Sequence, residues 1–310
     1  MSDWALTTPV AFIIFNRPDT TEKVFAEIAR ARPPRLLIIA DGPRAGRPGE
    51  AERCMEARSI VDRVDWKCEV STNYSEINLG CKIRVASGID WVFEQVPAAI
   101  ILEDDCLPDP SFFRFCEELL VRYRDDERVS QICGANFQFG HERSDASYYF
   151  SRYNHIWGWA SWRRAWQHYD REASKWPEFR DSGKLDSLLS LPAERKFWSA
   201  KFDSVHQNKL DTWDFQWVLA SWARGMLSVI PSVNLISNIG FGQDATHTRR
   251  GSPYAALPVK EMKFPLRHPS NASPDAAADD FTARNMFAAS MARKALRMVQ
   301  RLFYREHQPG

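Results

Sequence analysis

Three consecutive carboxylates, Glu103, Asp104 and Asp105, directly follow an apolar run that begins at Ala98. An uncharged run of this length predicts a buried parallel strand, and open α/β sheets bind ligands at the carboxyl ends of such strands. Three adjacent negative charges repel one another and lose hydration there. A hard divalent cation, Mg²⁺ or Mn²⁺, would neutralise them together with substrate phosphates. The alternative is a solvated acidic turn before a helix capped by Asp109.

Polar side chains also follow the other predicted strands, and parallel strands bring their carboxyl ends to one edge of a sheet. Cations, an isolated acid and a carboxylate cluster at that edge suit a nucleoside diphosphate bound through a metal. Each residue taken singly is consistent with an ordinary surface charge, and for Arg84 we favour that interpretation. The residues are Asn16 and Arg17 after the first strand, Asp41 after the second, and Lys82 and Arg84 at the start of the helix before the fourth.

Strands and helices alternate through the first third of the chain, which predicts an α/β fold with a mostly parallel central sheet flanked by helices. A capping box of Asp19 and Glu22 is expected to begin the first helix. The apolar runs predict strands over 10–15, 36–39, 68–71 and 98–103, with helices from 19, over 50–64 and over 79–93. Farther on, the pattern predicts a helix over 111–123, a strand over 129–133, an aromatic stretch over 148–166, an extended segment over 229–239 and a loop over 241–251.

The composition excludes several classes of protein. With 41 basic and 40 acidic residues the formal net charge is +1, whereas a dedicated nucleic-acid-binding protein has a clearly basic surface. No apolar run is long enough to span a membrane, and the first residues do not resemble a signal peptide. The six cysteines show neither a CxxC pair nor a zinc spacing, which favours ordinary buried, reduced thiols. The twelve tryptophans are best explained by a large aromatic core.

The segment around the acidic triplet resembles a known enzyme family. The run VPAAIILEDD, which ends at Asp105, and the following PSFFRF from Pro110 are similar to a motif of the N-acetylglucosaminyltransferase I family (family 13), whose members are glycosyltransferases of the GT-A fold. The resemblance covers roughly residues 9–248. It implies a Rossmann-like GT-A fold, a Mn²⁺ or Mg²⁺ cofactor and a nucleoside diphosphate sugar as donor.

The resemblance also implies roles for single residues. Asp105 falls at the position of the family's metal ligand, and its two neighbours Glu103 and Asp104 fall at positions that hold the nucleotide. Asp41 falls where the family uses an aspartate to read uracil, which favours a UDP-linked donor. The resemblance implies three further contacts to the nucleotide-sugar donor. Asn16 and Arg17 match an Asn-Arg pair that follows the family's first strand. Lys82 falls near a position where the family has a histidine that faces the diphosphate.

Aromatic motifs extend the resemblance into the second half of the chain. Gly158-Trp159, Lys175-Trp176-Pro177 and Trp213-Asp214 are similar to the family's Gly-Trp, Lys-Trp-Pro and Trp-Asp series. Phe241-Gly242 with His247 is similar to its substrate-closing loop, so His247 is expected to contact phosphate or metal. A solvated loop histidine is the alternative.

The acceptor is expected to contact His155, Trp157 and Trp159, because tryptophan faces stack on sugar rings. For His155, a buried and hydrogen-bonded histidine is an equally good interpretation. The transfer itself needs a base that takes the proton of the acceptor hydroxyl. Asp214 and Asp211 are the candidates, and we favour Asp214 because it lies within a tryptophan-rich segment. The aspartate that is not the base would then be an acid at the start of a helix, where its charge complements the helix macrodipole.

We expect one GT-A domain made of two halves and followed by a tail. Residues 1–135 would bind the nucleotide sugar and the metal, residues 136–265 the acceptor, and residues 266–310 would form a tail with a basic amphipathic helix. That helix suits contact with an anionic membrane surface, and docking on the protein's own surface is the alternative. The expected location is the cytoplasm, with peripheral contact at the inner face of a membrane.

The sequence thus predicts a metal-dependent, inverting glycosyltransferase of polysaccharide biosynthesis, which moves a hexose or N-acetylhexosamine to a hydroxyl of a glycan or glycolipid. One alternative is a sugar-phosphate nucleotidyltransferase, which would share the sheet and the metal. Such enzymes carry a Gly-rich loop after the first strand, where this chain has Phe15-Asn16-Arg17-Pro18. A second alternative is a catalytically silent glycan-binding homologue, which would be free to lose the acidic triplet and the base. No nucleic-acid partner is expected.

Overall fold

The computed structural model describes residues 4–241 and 254–288. Up to residue 103 strands and helices alternate, as the apolar pattern predicts, and a short strand then follows directly. The elements are β1 (Val10–Ile14), α1 (Pro18–Ala31), β2 (Arg35–Ala40), α2 (Glu50–Ile60) with a 3₁₀ turn (Val61–Arg63), β3 (Glu69–Tyr74), α3 (Gly80–Gln95), β4 (Ala98–Glu103), β5 (Cys106–Pro108), α4 (Ser111–Arg122) and β6 (Val129–Cys133).

The second half contains shorter elements and a group of helices between two strands. They are β7 (Tyr148–Ser151), β8 (Trp159–Trp162), α5 (Arg163–Trp166), α6 (Trp176–Asp181), α7 (Lys184–Leu188), α8 (Pro192–His206), α9 (Asp214–Ala223), β9 (Leu227–Pro231), β10 (Ile236–Asn238) and α10 (Ala276–Thr282), which continues as a π-helical turn (Ala283–Ala288).

Eight of these strands form one sheet in the order β3-β2-β1-β4-β8-β6-β9-β7. The first four run parallel, β8 is antiparallel to both of its neighbours, β6 and β9 are parallel, and β7 is antiparallel to β9. The fold is therefore a mixed α/β fold with a mostly parallel central sheet flanked by helices. Strands from both sides of the predicted boundary at residue 135 share this sheet, and the division into two functional halves stays a prediction.

Both faces of β1, β2 and β4 are buried, which explains why these strands are nearly continuous apolar runs. In β1, Val10, Phe12 and Ile14 pack on one face together with α1 and α4. Ala11 and Ile13 point to the other face, where α3 covers them. The sheet thus holds the carboxyl ends of β1, β2 and β4 rigidly side by side.

One detail of the sequence-based assignment is wrong. The predicted capping box does not form, because α1 begins at Pro18 and Glu22 instead forms an ion pair with Arg63. The segment over 229–239 is extended, as predicted, but it is divided into two strands, since β9 ends at Pro231 and β10 joins a separate two-stranded sheet with β5. A proline has no N–H to continue a ladder, so the chain leaves the main sheet there.

Most of the tryptophans are buried, which confirms the predicted aromatic core. Trp176, Trp198 and Trp222 form a separate cluster among the helices of the second half. The six cysteines are free thiols, as their spacing predicts. Across the described ranges no helix is long and apolar enough to cross a membrane. The predicted basic helix of the tail lies mostly outside the described residues.

Candidate functional site

A cavity of about 330 Å³ opens at the carboxyl ends of β1, β2 and β4, and the first residues of α3 and α9 complete its wall. Its lining carries a surplus of negative charge, with six carboxylates and three guanidinium groups. Most of the residues predicted for the site meet here, although their segments are far apart in the sequence. The charged lining residues are Asp41, Glu103, Asp104, Asp105, Asp211 and Asp214, with Arg17, Arg44 and Arg84.

The acidic triplet after β4 is held by Arg17, which extends from the turn after β1. The Arg17 guanidinium forms ion pairs with Asp104 and Asp105, the latter at 2.9 Å. Asp104 also accepts a hydrogen bond from the backbone N–H of Phe15 at 3.1 Å. A Cβ at Gly240 would collide with Arg17 and Asp105, so this position requires glycine. Two of the three carboxylates are therefore paired with the same guanidinium, whose single positive charge balances only one of their two negative charges.

Glu103 differs from its two neighbours, because its carboxylate has no hydrogen bond or ion pair with any other described residue. Burial raises the pKa of Glu103 well above its ordinary range, and the charges of Asp105 and Asp104 raise it further. Burial also raises the pKa of Asp104, which the Arg17 guanidinium opposes. Additional positive charge in the cavity would lower both pKa values.

Two other predicted site carboxylates hold the start of α3. Asp41, which follows β2, accepts hydrogen bonds from the backbone N–H groups of Leu79 and Gly80 at 2.9 and 3.1 Å. Asp211 accepts hydrogen bonds from the backbone N–H groups of Cys81 and Lys82 at 3.1 and 2.7 Å. The first amides of a helix lack partners within it, and their partial positive charge favours carboxylates. Both acids line the cavity, but the backbone of α3 engages them.

The two basic residues near the start of α3 point in opposite directions. Lys82 is absent from the cavity wall, because its ammonium binds Glu172 at 2.8 Å and Asn208 at 3.0 Å. Arg84 lies roughly 200° around the helix from Lys82, and its buried side chain lines the cavity. One Arg84 nitrogen donates to Asn73, whereas Nε has no partner in the described part of the chain. The interpretation of Arg84 as a surface charge is therefore wrong.

Asn16 does not line the cavity but supports Arg44, which does. The Asn16 amide donates to the buried carboxylate of Glu50 at 2.9 Å, and the backbone N–H of Arg44 donates to the same carboxylate at 2.6 Å. Hydrogen bonds from the Arg44 side chain lower the pKa of Glu50 to about 2. The Arg44 guanidinium lies 5.6 Å from the centre of the Phe15 ring. Sequence reasoning missed Arg44, although it lies in the loop after β2.

Asp214 is the first residue of α9, and its side chain faces the cavity. The hydroxyl of Thr212 donates a hydrogen bond to one of its carboxylate oxygens. The other oxygen has no partner among the residues that the structure describes. Because Asp211 is engaged by α3, Asp214 is the candidate base with an oxygen available to a substrate.

Of the three residues predicted to bind the acceptor, the structure brings only Trp157 to the cavity. Trp159 is 1% exposed and stacks on Trp213 in the core, with ring centres 5.7 Å apart. His155 is buried against Phe137, and burial lowers its pKa to about 3, so it is neutral at pH 7. A strand that is buried on both faces leaves no side for a ligand, which explains Trp159.

The metal prediction depends on Asp105, because His247 lies outside the described residues. Within residues 4–241 and 254–288 no group of three or more His, Cys, Asp or Glu side chains has the arrangement of a metal site. Among these residues the candidate ligand is thus the single carboxylate of Asp105. This donor set fits a cation that takes one or two carboxylates and completes its shell with substrate phosphates and water.

No family model and no curated protein matches this sequence. Among solved structures, the chain is similar to residues 1–349 of TarS from S. aureus, with 7% identity, a TM-score of 0.41 and coverage of 73% of this chain and 58% of that one. It is also similar to 4-diphosphocytidyl-2C-methyl-D-erythritol synthase from Anaerococcus prevotii, with 8% identity, a TM-score of 0.36 and coverage of 72% and 88%.

A third similar structure is a UDP-glucose pyrophosphorylase in complex with UDP-glucose, with 12% identity, a TM-score of 0.27 and coverage of 47% of this chain and 62% of that one. At these identities and TM-scores, the likenesses carry no conclusion about the activity of this chain.

Proposed function

We propose that this chain is a metal-dependent, inverting glycosyltransferase that moves a sugar from a UDP-linked donor to a hydroxyl of a glycan or glycolipid. One observation carries the proposal. A single cavity at the carboxyl ends of the parallel strands combines the acidic triplet, three arginines and the partly free carboxylate of Asp214. These are the groups that the departure of a diphosphate and the deprotonation of an acceptor require.

The charge balance of the cavity supports a divalent cation. A nucleoside diphosphate sugar is an anion, and it would enter a cavity with twice as many carboxylates as guanidinium groups. Asp105 would hold Mn²⁺ or Mg²⁺, and the bound cation would supply positive charge to the departing diphosphate. Arg44 and Arg84 also line the cavity and supply further hydrogen-bond donors there, and Asp41 stays a candidate for contacting the base.

Asp214 would act as the general base. Its free oxygen accepts the proton of the acceptor hydroxyl, the acceptor oxygen forms a bond to the anomeric carbon, and the bond from that carbon to the diphosphate breaks. The electron pair leaves with the diphosphate. The hydrogen bond from Thr212 orients the Asp214 carboxylate. With this carboxylate on the face of the sugar opposite the diphosphate, a single displacement would invert the anomeric carbon.

The turn after β1 favours sugar transfer over nucleotidyl transfer. β1 ends at Ile14 and α1 begins at Pro18, so only three residues separate them. A Gly-rich loop that wraps a triphosphate has no room there. We therefore expect no release of pyrophosphate when the protein is given UTP and a hexose 1-phosphate. Rapid release would favour the nucleotidyltransferase alternative.

Calorimetry with UDP, with and without Mn²⁺, tests the proposal. UDP should bind tightly only with the metal, and Asp105→Asn should remove that dependence. Asp186→Asn is the matched control, because Asp186 is 72% exposed and lies on α7. Metal-dependent UDP affinity that is unchanged in Asp105→Asn would refute the metal assignment. A transfer product that keeps the donor's anomeric configuration would refute the single-base mechanism.

A further inference from the structure

A row of aromatic rings leads from the cavity to the protein surface. Trp157 lines the cavity, and its ring packs edge-to-face on Phe137 with 5.1 Å between ring centres. Phe137 packs on Tyr254 at 5.3 Å, and Tyr254 packs on Phe139 at 5.5 Å. Phe137 is buried, with 5% exposed, so it supports the other three rings and is not itself a contact surface. We call these four residues the aromatic ledge. Phe137 and Phe139 follow β6, Trp157 precedes β8, and Tyr254 begins the second described range.

Phe139 at the outer end of the ledge has two unusual properties. Its side chain is 45% exposed, and it is the sole aromatic residue among the exposed large hydrophobic side chains of the described ranges. Its backbone has φ +50°, in the left-handed region that a bulky residue rarely adopts. Strained conformations of this kind cluster at binding sites, where the surrounding structure maintains them.

The chemistry of the ledge suits a sugar ring. The face of an aromatic ring carries partial negative charge and attracts the polarised C–H groups on the apolar face of a pyranose. The exposed imidazole of His141, 4.9 Å from the Phe281 ring beside Phe139, offers a hydrogen-bond partner for hydroxyl groups. A single exposed ring is far smaller than the apolar patch of a protein interface.

We propose that the aromatic ledge binds an oligosaccharide acceptor, with its reacting end at Trp157 and its following sugar rings extending toward Phe139. This inference rests on the proposed function, because it assigns the acceptor of that same cavity. Trp157 is the ledge residue that lines the cavity, so a chain bound along the ledge would present its terminal hydroxyl at Trp157. The acceptor would therefore be recognised by several sugar rings rather than by one.

The test compares binding of cellohexaose, maltohexaose and chitohexaose with that of the corresponding disaccharides, measured by saturation-transfer NMR and calorimetry on the full chain. In the wild-type protein one hexasaccharide should bind at least fivefold more tightly than its disaccharide. Phe139→Ala should remove this gain from chain length, because the outer ring is lost. Phe139→Asn should do the same, and asparagine tolerates the left-handed backbone. Phe139→Tyr should keep the gain.

Val121→Ala is the matched control, because Val121 is an apolar side chain on α4 that is 60% exposed. It should leave both affinities unchanged. A gain from chain length that persists in Phe139→Ala would overturn the proposal, as would failure of every oligosaccharide to bind the wild type. Binding of dihexanoylphosphatidylcholine that depends on Phe139, without oligosaccharide binding, would assign the ledge to acyl chains and overturn it too.

Binding of UDP with Mn²⁺ separates this inference from the proposed function. All Phe139 variants should bind UDP and Mn²⁺ as the wild type does. Oligosaccharide binding without UDP binding would refute the transferase and keep the ledge. UDP binding without oligosaccharide binding would refute the ledge and keep the transferase.

Discussion

The carboxylates of the cavity differ in what they are free to do, and this difference separates structural from chemical roles. Asp41 and Asp211 accept hydrogen bonds from the backbone at the start of α3, and Asp104 accepts from Phe15 and Arg17. Asp214 keeps one oxygen without a partner in the described structure. A general base needs such an oxygen within reach of the proton it removes. Asp214 is therefore the candidate general base, whereas Asp211 is a positioning residue.

Asp214→Asn should lower the transfer rate by about two to four orders of magnitude, the usual range for general base catalysis. Its affinity for UDP and Mn²⁺ should change little, because the base acts only as the acceptor loses its proton. Asp211→Asn is the control at the neighbouring wall and should cost far less in rate. Steady-state kinetics and calorimetry on both variants measure the two effects. The reverse ranking would move the base to Asp211.

The direction in which the Arg84 side chain points cannot be predicted from the sequence alone. The sequence places Lys82 and Arg84 at the start of one helix, and helical geometry puts them on opposite faces. Only one of them could face the cavity, and the sequence does not say which. The structure directs Arg84 to the cavity and Lys82 to Glu172, because Val85, Ile89 and Val92 of α3 pack against the sheet.

At the scale of elements, the start of α3 is held by carboxylates from two distant segments. Asp41 comes from the end of β2, and Asp211 comes from the loop before α9. The same loop carries Thr212 and leads into Asp214. The contact between Asp211 and α3 therefore fixes the candidate base relative to the wall that carries Arg84.

Gly80→Ala should destabilise the protein by more than Gly183→Ala does. Both glycines have positive φ, +79° and +71°, so either substitution introduces backbone strain of about 1–2 kcal/mol. A Cβ at Gly80 would also lie 2.9 Å from Asp211 Oδ2, whereas a Cβ at Gly183 would meet nothing within 4 Å. Displacing Asp211 should cost roughly a further 1.5–3 kcal/mol, the value of hydrogen bonds to a charged group. Urea unfolding measures both variants, and equal losses would mean that the Asp211 contacts add no stability.

At the scale of the whole molecule, a second group of buried charges lies away from the cavity. Glu194 on α8 is 1% exposed and accepts a hydrogen bond from the hydroxyl of Tyr153. Asp279 on α10 is also buried and forms an ion pair with Arg152 at 2.9 Å. Burial raises the pKa of both Glu194 and Asp279. These contacts join α8 and α10 to the end of β7.

Glu194→Gln should stabilise the protein at pH 8 by on the order of 1 kcal/mol and have a smaller effect at pH 5. A raised pKa means that folded Glu194 keeps its proton where the unfolded chain has lost it. Its contribution to stability therefore falls as the pH rises from the ordinary range near 4.5 through the raised pKa. Glutamine has no proton to lose. Urea unfolding at both pH values measures the difference, with exposed Glu127→Gln as control, and a pH-independent difference would contradict the prediction.

The sequence by itself predicts the central strands of this protein and the polar residues at their ends. The strands β1, β2 and β4 are evident as uncharged apolar runs, because strands buried on both faces exclude polar side chains. The acidic triplet at the end of β4 and the polar residues after β1 and β2 are predictable for the same reason, since parallel strands bring their ends to one edge. The free cysteines and the aromatic core also follow from spacing and composition.

Only the tertiary structure decided which polar groups are used by the protein itself. Asn16 and Lys82 carry the right chemistry in the right place along the chain, but Glu50 and Glu172 engage them. Trp157 and Trp159 are only two residues apart in the sequence, yet the Trp159 ring lies in the core and the Trp157 ring lines the cavity. Hydrogen-bond partners and burial depend on residues that are distant in the sequence and close in space, and no local pattern records those distances.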